Sequence, residues 1–344
     1  MYSRTRYSIN LPHLAAALFL MLERLCKKRQ KLDNNEAGRH KERFLGGTRR
    51  RHRIAFGQSE GKRAVFSQVL SALARACLVA AVVALPALIL PSVAADTEQI
   101  VLIVAVLAAF LTFMEYYGRY PSIVAFRFAP PYNRLKFGAV MLSVVALSLI
   151  IRGKTDPGAM TSMLTHLAAW LGAALDFPWS PVRLVLLMMP PRTEAGQIAE
   201  MRMAAGVCYA VSLAMVLIFA LLVRVANWPM QKRVFNVWVN LPLFDPTSGG
   251  DVVERLRREA GVNILLGILL PFFVPAAVKS FLDLNGTVSV ITPHTLIWML
   301  TAWAILPASL LIRGIALYRV AGLITAKRRR VYGKDRAEGA LGEA

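Results

Sequence analysis

The side chains of this chain that could do chemistry are few and scattered. Its five histidines are His13, His40, His52, His166 and His294. None forms the pair four residues apart, with a glutamate between, that binds zinc and positions a general base. His166 and His294 fall toward one membrane face in the topology derived below, and two imidazoles on one side could ligate a haem or a metal. No carboxylate or cysteine is placed to support them, so they read as interfacial hydrogen-bonding groups. Cys26, Cys77 and Cys208 are too far apart for a CxxC redox pair, and no disulfide is indicated. Glu60-Gly61-Lys62-Arg63 lacks both the upstream glycine and the following Ser or Thr of a phosphate-binding loop. The glycine-flanked serine of a nucleophile turn and the dinucleotide-binding glycines are missing too. The expectation is a non-enzymatic chain with no catalytic residues, no metal and no cofactor.

Ionisable groups inside apolar spans mark ion and proton pathways. Here Glu115 and Lys279 stand at the ends of such runs, and Asn263 lies close to one. A coupled transporter is expected to bury a carboxylate near the midplane, so this pattern counts against secondary transport. Pro271 and Pro275, with Gly267 nearby, and Pro307 are candidate helix-kink positions. Discontinuous helices build transporter sites, whereas ordinary kinks serve packing, which spanning helices tolerate readily.

The elements that would position these residues are membrane spans. The chain is 56% hydrophobic and 18% charged, where soluble domains carry about a quarter charged residues. Uncharged runs predict six spans near 76–95, 99–117, 135–151, 203–223, 260–278 and 295–312, the first with twenty residues and no charge. The fold expected is all-α: a polytopic helical membrane protein of about six transmembrane helices with an outward-facing helical insertion. Residues 1–65 form a basic, partly flexible cytoplasmic arm with an interfacial helix at 9–25, 66–317 the six-span domain, and 318–344 a basic cytoplasmic tail. The apolar stretch 11–22 is too short to span and is followed by charge instead of a cleavage site.

Lys and Arg number 41 against 20 acids. Their distribution orients the chain, because basic residues beside spans stay on the cytoplasmic side. With six spans and the N-terminus inside, cytoplasmic segments hold 34 of them: sixteen in 1–65, four in 118–136, six in 224–261 and eight in 313–344. The outer segments hold six. A seventh span over 157–175 would turn both the 224–261 loop and the basic tail outward. This places 152–202 outside as an insertion of two short helices, with Trp170 in the first, a corner at Pro178-Trp179-Ser180-Pro181, and Pro190-Pro191 closing the second. Such a segment is interfacial packing; the sharper reading is a lid or a re-entrant pore element. Thirty of the 41 basic residues are Arg, a bias that goes with GC-rich bacterial genomes. The localisation expected is therefore a bacterial inner membrane, multi-pass, with both termini cytoplasmic. The basic tails suit anionic lipid headgroups better than nucleic acid.

The cytoplasmic loops are more distinctive than the spans. Residues 116–137 hold seven aromatics, three Pro and four basic residues. Residues 235–241 alternate Phe235, Val237, Val239 and Leu241 like one face of a short strand, and Thr247 to Asp251 read as a turn and helix start. Aromatics and Arg dominate binding hot spots, so Arg127, Tyr132, Arg134, Phe235 and Trp238 are candidate partner-docking residues. The plainer reading is a headgroup-level collar. The function expected is an accessory, assembly or scaffold component engaging a protein partner or a second copy through these loops. The competing reading is a transporter or channel subunit with a path near spans five and six.

Overall fold

The structure, a computed structural model, describes residues 53–90, 95–118, 122–190, 193–229, 240–242, 244, 249–285 and 292–342. The chain divides into two compact units between Phe66 and Ser67, and the first is described only from Arg53, as helix. The interfacial helix expected at 9–25 and most of the arm lie outside the described residues. Eight helices are described: α1 (Arg53–Ile89), α2 (Ala95–Tyr117), α3 (Tyr132–Arg152), α4 (Ala159–Leu175), α5 (Pro181–Leu187), α6 (Ala195–Arg224), α7 (Val252–Asn285) and α8 (Pro293–Gly342).

Six of them are long and apolar enough to cross a membrane: Val65–Ile89, Asp96–Tyr117, Tyr132–Arg152, Ala195–Arg224, Val252–Phe281 and Pro293–Tyr332. A lipid environment forces this choice, because a helix satisfies its own backbone groups where no water can. Their outer surfaces agree. On α2, Ile100, Leu102, Ile103, Val106, Leu107 and Phe110 are all exposed, an apolar patch far beyond what a soluble surface carries. The chain is a polytopic helical membrane protein.

Several boundaries differ from those expected. The first span begins eleven residues earlier than 76, since no proline interrupts the sequence from Arg53 to Leu85, and it ends at Ile89, ahead of Pro91. The helix started by the turn expected at Thr247 to Asp251 and span five are one helix, α7. Its cap is Asp251, whose Oδ1 accepts from the Val253 N–H at 3.2 Å, with Gly250 supplying φ +94° in the preceding turn. Span six and the basic tail are likewise one helix of 50 residues, about 75 Å long at 1.5 Å per residue.

The centre of the bundle is α8, which packs on α3, α6 and α7. Ile297, Leu300, Ala304, Ala308 and Ile312 follow each other at helical spacing and are all buried. Val82 of α1 joins the same core as Val144, Leu147, Cys208 and Ile297. Small residues set the closest approaches. A Cβ at Gly206 of α6 would stand 2.5 Å from the Gly172 Cα of α4, and one at Gly267 of α7 would stand 2.8 Å from the Pro307 carbonyl of α8. Such contacts suit association in lipid, where close backbone packing replaces the hydrophobic drive.

Candidate functional site at the loop end of the bundle

The C-terminal ends of α2 and α6, the N-terminal ends of α3 and α7 and the middle of α8 meet at one end of the bundle. There the loops are stitched together rather than splayed. The Phe126 N–H donates to the Asn240 carbonyl at 2.6 Å, and the Phe128 N–H to Asn240 Oδ1 at 3.2 Å. From the other loop, Trp228 Nε1 donates to the carbonyls of Ala129 at 3.3 Å and Pro130 at 3.2 Å. Arg319 of α8 closes the stitch, its Nε donating to the Trp228 carbonyl at 3.1 Å. Beneath these bonds, Phe126, Tyr132, Phe219 and Trp228 form a buried aromatic nest. Ring centroids are 4.7 Å apart for Phe126–Tyr132, 5.1 Å for Phe219–Trp228 and 5.4 Å for Phe126–Trp228, mostly edge or tilted. Such geometry satisfies the ring quadrupoles.

A second device fixes the end of α2. The buried Glu115 carboxylate accepts from the backbone N–H groups of Ser122, Ile123 and Val124 at 2.9–3.0 Å, and from Ser122 Oγ at 2.6 Å. Arg127 then donates to the carbonyls of Glu115, Tyr116 and Gly118, which the helix itself leaves unpaired. Its guanidinium also lies over the Tyr116 and Phe128 rings, at 5.3 and 5.0 Å. Charge-assisted bonds of this kind are the strong ones, and they tie residues 122–127 to the end of α2. Deeper in the same end, Arg313 of α8 pairs with Glu259 of α7 at 2.6 Å, and Lys136 Nζ sits 5.5 Å from the Tyr132 ring.

The five candidate docking residues therefore divide. Arg127 is spent on the end of α2, Tyr132 is 2% exposed inside the nest, and Arg134 is exposed. Phe235 and Trp238, and nearly all of the alternating segment 235–241, lie outside the described residues; Leu241 is buried. Sequence reasoning passed over Glu115 as a loop organiser, Trp228 as the anchor, and Phe128 and Ile123 as outward apolar groups, 48% and 71% exposed. The Trp228-Pro229 and Pro130-Pro131 pairs were the available signal, because both mark chain corners.

The kink candidates lie together: Pro271 and Pro275 within α7, Pro307 within α8 where it faces Gly267. At the opposite end His166 is exposed and His294 half-buried, and among the described residues no three His, Cys, Asp or Glu side chains gather as metal ligands would. The chain matches no known protein-family model, no curated protein and no solved structure. Its class is thus defined by fold alone, as an integral membrane protein with six helices, among the described residues, long and apolar enough to span.

Proposed function

We propose that this is a non-enzymatic accessory or scaffold protein of a bacterial inner membrane, whose stitched loop end faces the cytoplasm and docks a protein partner. The observation that carries the reading is the Trp228–Asn240–Arg319 stitch. A collar that only rests on headgroups gains nothing from long-range hydrogen bonds between loops, because headgroup contact is non-directional. A docking surface gains from being ordered before its partner arrives, since immobilising loops on binding costs affinity. Ile123, Phe128 and Arg134 are exposed on this cap, Arg being enriched at binding hot spots and Phe at interfaces. The basic tail on α8 and the basic loops support the cytoplasmic orientation through the positive-inside rule. The decisive experiment is co-purification of the full chain in mild detergent, followed by substitutions at these three positions. A stoichiometric partner lost on Phe128→Ala or Arg134→Ala supports docking. A lone protein stabilised by a small solute supports the transporter reading instead.

A further inference from the structure

The end of the bundle away from the loops carries α4, the corner 176–180 and α5. Three observations bear on what surrounds them. First, α4 does not stand beyond the spans. Ala168 is packed with Ala146 and Ile150 of α3 and Val207 of α6, and Gly172 lies against Arg202 to Gly206. The 21 residues of α3 are about 31 Å of helix, close to the hydrocarbon thickness, so its last residue Arg152 marks a boundary. Ala146 lies six residues, about 9 Å, inside that boundary. The buried face of α4 is therefore at the depth of the last two turns of α3.

Second, α4 carries no formal charge along its length, and its polar side chains, Thr161, Ser162, Thr165 and His166, are confined to its N-terminal half. From Pro157 to Leu175 there is no charged side chain, and only Ala168 and Gly172 are buried. Met160, Met163, Leu167 and Trp170 are all exposed, with Trp170 at 66%. Charges appear only at the two ends of the helix. Arg152 pairs with Asp156 at 2.9 Å before it, and Asp176 holds Arg183 at 2.8 Å and Arg202 at 3.0 Å after it. The Asp176 carboxylate is only 7% exposed and meets the two guanidinium groups as ion pairs, one through each oxygen.

Third, that ion triad fixes a corner which turns aromatic rings outward. Ser180 caps α5 by accepting from the Arg183 N–H at 3.0 Å. Between the triad and the cap, Phe177 is 52% exposed and Trp179 85% exposed. Trp179 is held at φ +67°, a conformation that side-chain-bearing residues rarely adopt. A strained backbone that presents a tryptophan outward asks for a partner to the ring.

We propose that α4 and the 176–180 corner are immersed in the membrane leaflet at this end, as a half-depth element contacting lipid and not a lid over water. Met163 and Trp170 meet acyl chains, while Phe177 and Trp179 sit at the glycerol and headgroup level that aromatic rings prefer. The ion pairs at both ends of α4 stay at the polar boundary. The occupant is lipid because α4 packs alongside the last two turns of α3, within the length of a membrane span, and its outward side chains lie at that depth. This holds whichever side of the membrane that leaflet faces, and it is independent of the docking role.

The test uses the full chain in phosphatidylethanolamine/phosphatidylglycerol vesicles. Single cysteines replace Met163, Trp170 and Trp179 in a background carrying Cys26→Ser and Cys77→Ser; Cys208 is fully buried and can remain. Glu194→Cys, on an exposed residue, is the water-facing control. A charged maleimide should label positions 163 and 170 at least ten-fold more slowly than position 194. A fluorophore attached at 163 or 170 should be quenched by lipids brominated on the upper acyl chain. Labelling as fast as at 194 would overturn immersion and leave a lid. Protection from the maleimide without lipid quenching would overturn it in favour of a covering protein, including a second copy. Since a cysteine variant can misfold, the unaltered protein is also labelled with a photoreactive phospholipid. Adducts on peptides from 159–179 are expected, and their absence alongside adducts on α2 would refute the proposal.

Discussion

Trp303 donates its indole N–H to the carbonyl oxygen of Pro271 at 3.1 Å, and that carbonyl is the one Pro275 leaves without a helical donor. A proline ring has no N–H, so the oxygen four residues before it is orphaned. In a lipid-surrounded helix an orphaned carbonyl is costly, and a neighbouring helix supplies the missing bond. Trp303 is 7% exposed and comes from α8, so the pair ties the bent part of α7 to the central helix. The same two helices close on each other at Gly267 and Pro307 and again at Gly314, where a Cβ would meet the Ala260 carbonyl at 2.8 Å. Where α7 and α8 touch, the prolines serve packing.

This pairing predicts a specific non-additivity. Trp303→Phe should destabilise the protein through lost ring area and through the unpaired carbonyl, the latter by about 1 kcal/mol, the scale of interhelical hydrogen bonds in bilayers. Pro275→Ala restores an N–H at position 275. In that background Trp303→Phe should cost about 1 kcal/mol less than in the parent. Unfolding in mixed micelles measures both. Equal costs in the two backgrounds would mean that the hydrogen bond contributes nothing.

The glycine crossing of α4 and α6 makes a sharper structural claim. A methyl group at position 206 meets the Gly172 backbone at 2.5 Å, so one helix must move. Gly206→Ala should cost about 1–3 kcal/mol, the range for overpacking. Gly138 of α3 has nothing within 4 Å of its would-be Cβ. Gly138→Ala should be neutral or stabilise by up to about 1 kcal/mol, because Ala is the better helix former. The same denaturation midpoints decide it, and a neutral Gly206→Ala would contradict the close crossing.

What the sequence revealed and what it hid follow from the range of the interactions. Six apolar runs are legible because lipid imposes a minimum length on each. The helix start by Asp251 was legible, but its unbroken continuation into span five was not: Arg255, Arg257 and Arg258 end the apolar run for hydropathy, yet extending an existing helix is far easier than starting one. The Glu259–Arg313 pair lies just beyond the ends of the apolar runs expected at 260–278 and 295–312, so neither residue stood out as a polar group inside a span. Tyr132 looked like a docking residue because an aromatic near a helix end fits a surface and a core equally well. Rings distant in sequence, Phe219 at 5.5 Å and Trp228, 96 positions away, at 6.3 Å, show that it belongs inside. The Glu115 nest is closed by backbone N–H groups, which carry no residue identity, and no sequence pattern announces it.

The tail of α8 carries a pH-dependent contact. Arg328 Nη1 donates to Asp251 Oδ1 at 2.7 Å, and this bond with the Val253 N–H holds the Asp251 carboxyl below its ordinary value. A carboxyl lowered on folding contributes above its ordinary pKa of about 3.9 and loses that contribution as the pH falls through the lower, folded value. The contact should therefore persist through neutral pH and release only below about pH 4. Both side chains are 45% exposed, so high salt should weaken it as well. Spin labels at Gly249→Cys and Val331→Cys would report a broadened distance under acid or high salt. Adding Asp251→Asn should give the broad distribution at every pH; a distance insensitive to that substitution would show that the pair does not hold the tail.

Orientation is testable directly. A reporter fused after Ala344 should be active only in the cytoplasm, and one inserted near Thr193 only on the far side, the outcome that the bias of 34 basic residues against six predicts. A cytoplasmic Thr193 would invert the bundle and put the stitched loop end, with its proposed docking role, outside.

The docking proposal is most exposed at the cap itself, where the buried and the outward residues make opposite predictions. Ile123, Phe128 and Arg134 face outward, so truncating one should weaken partner retention by roughly 1–3 kcal/mol, about ten- to a hundred-fold, without changing membrane insertion. Tyr132 and Trp228 are each 2% exposed, and Arg127 secures three carbonyls at the end of α2. Substituting these should lower stability first and partner binding only as a consequence. Tyr132→Phe keeps the ring packing and should preserve retention, whereas Tyr132→Ala should lose about 3–5 kcal/mol of stability, the range for a buried aromatic cut to a methyl. A collar that merely rests on anionic headgroups predicts another pattern: small, additive losses of about 1 kcal/mol for every loop Lys or Arg and none at Ile123 or Phe128. Pull-downs of the single variants, each checked for unfolding midpoint and topology, separate the two. A response proportional to charge alone would leave the cap as a membrane anchor, because a directional interface cannot be indifferent to its two outward apolar side chains.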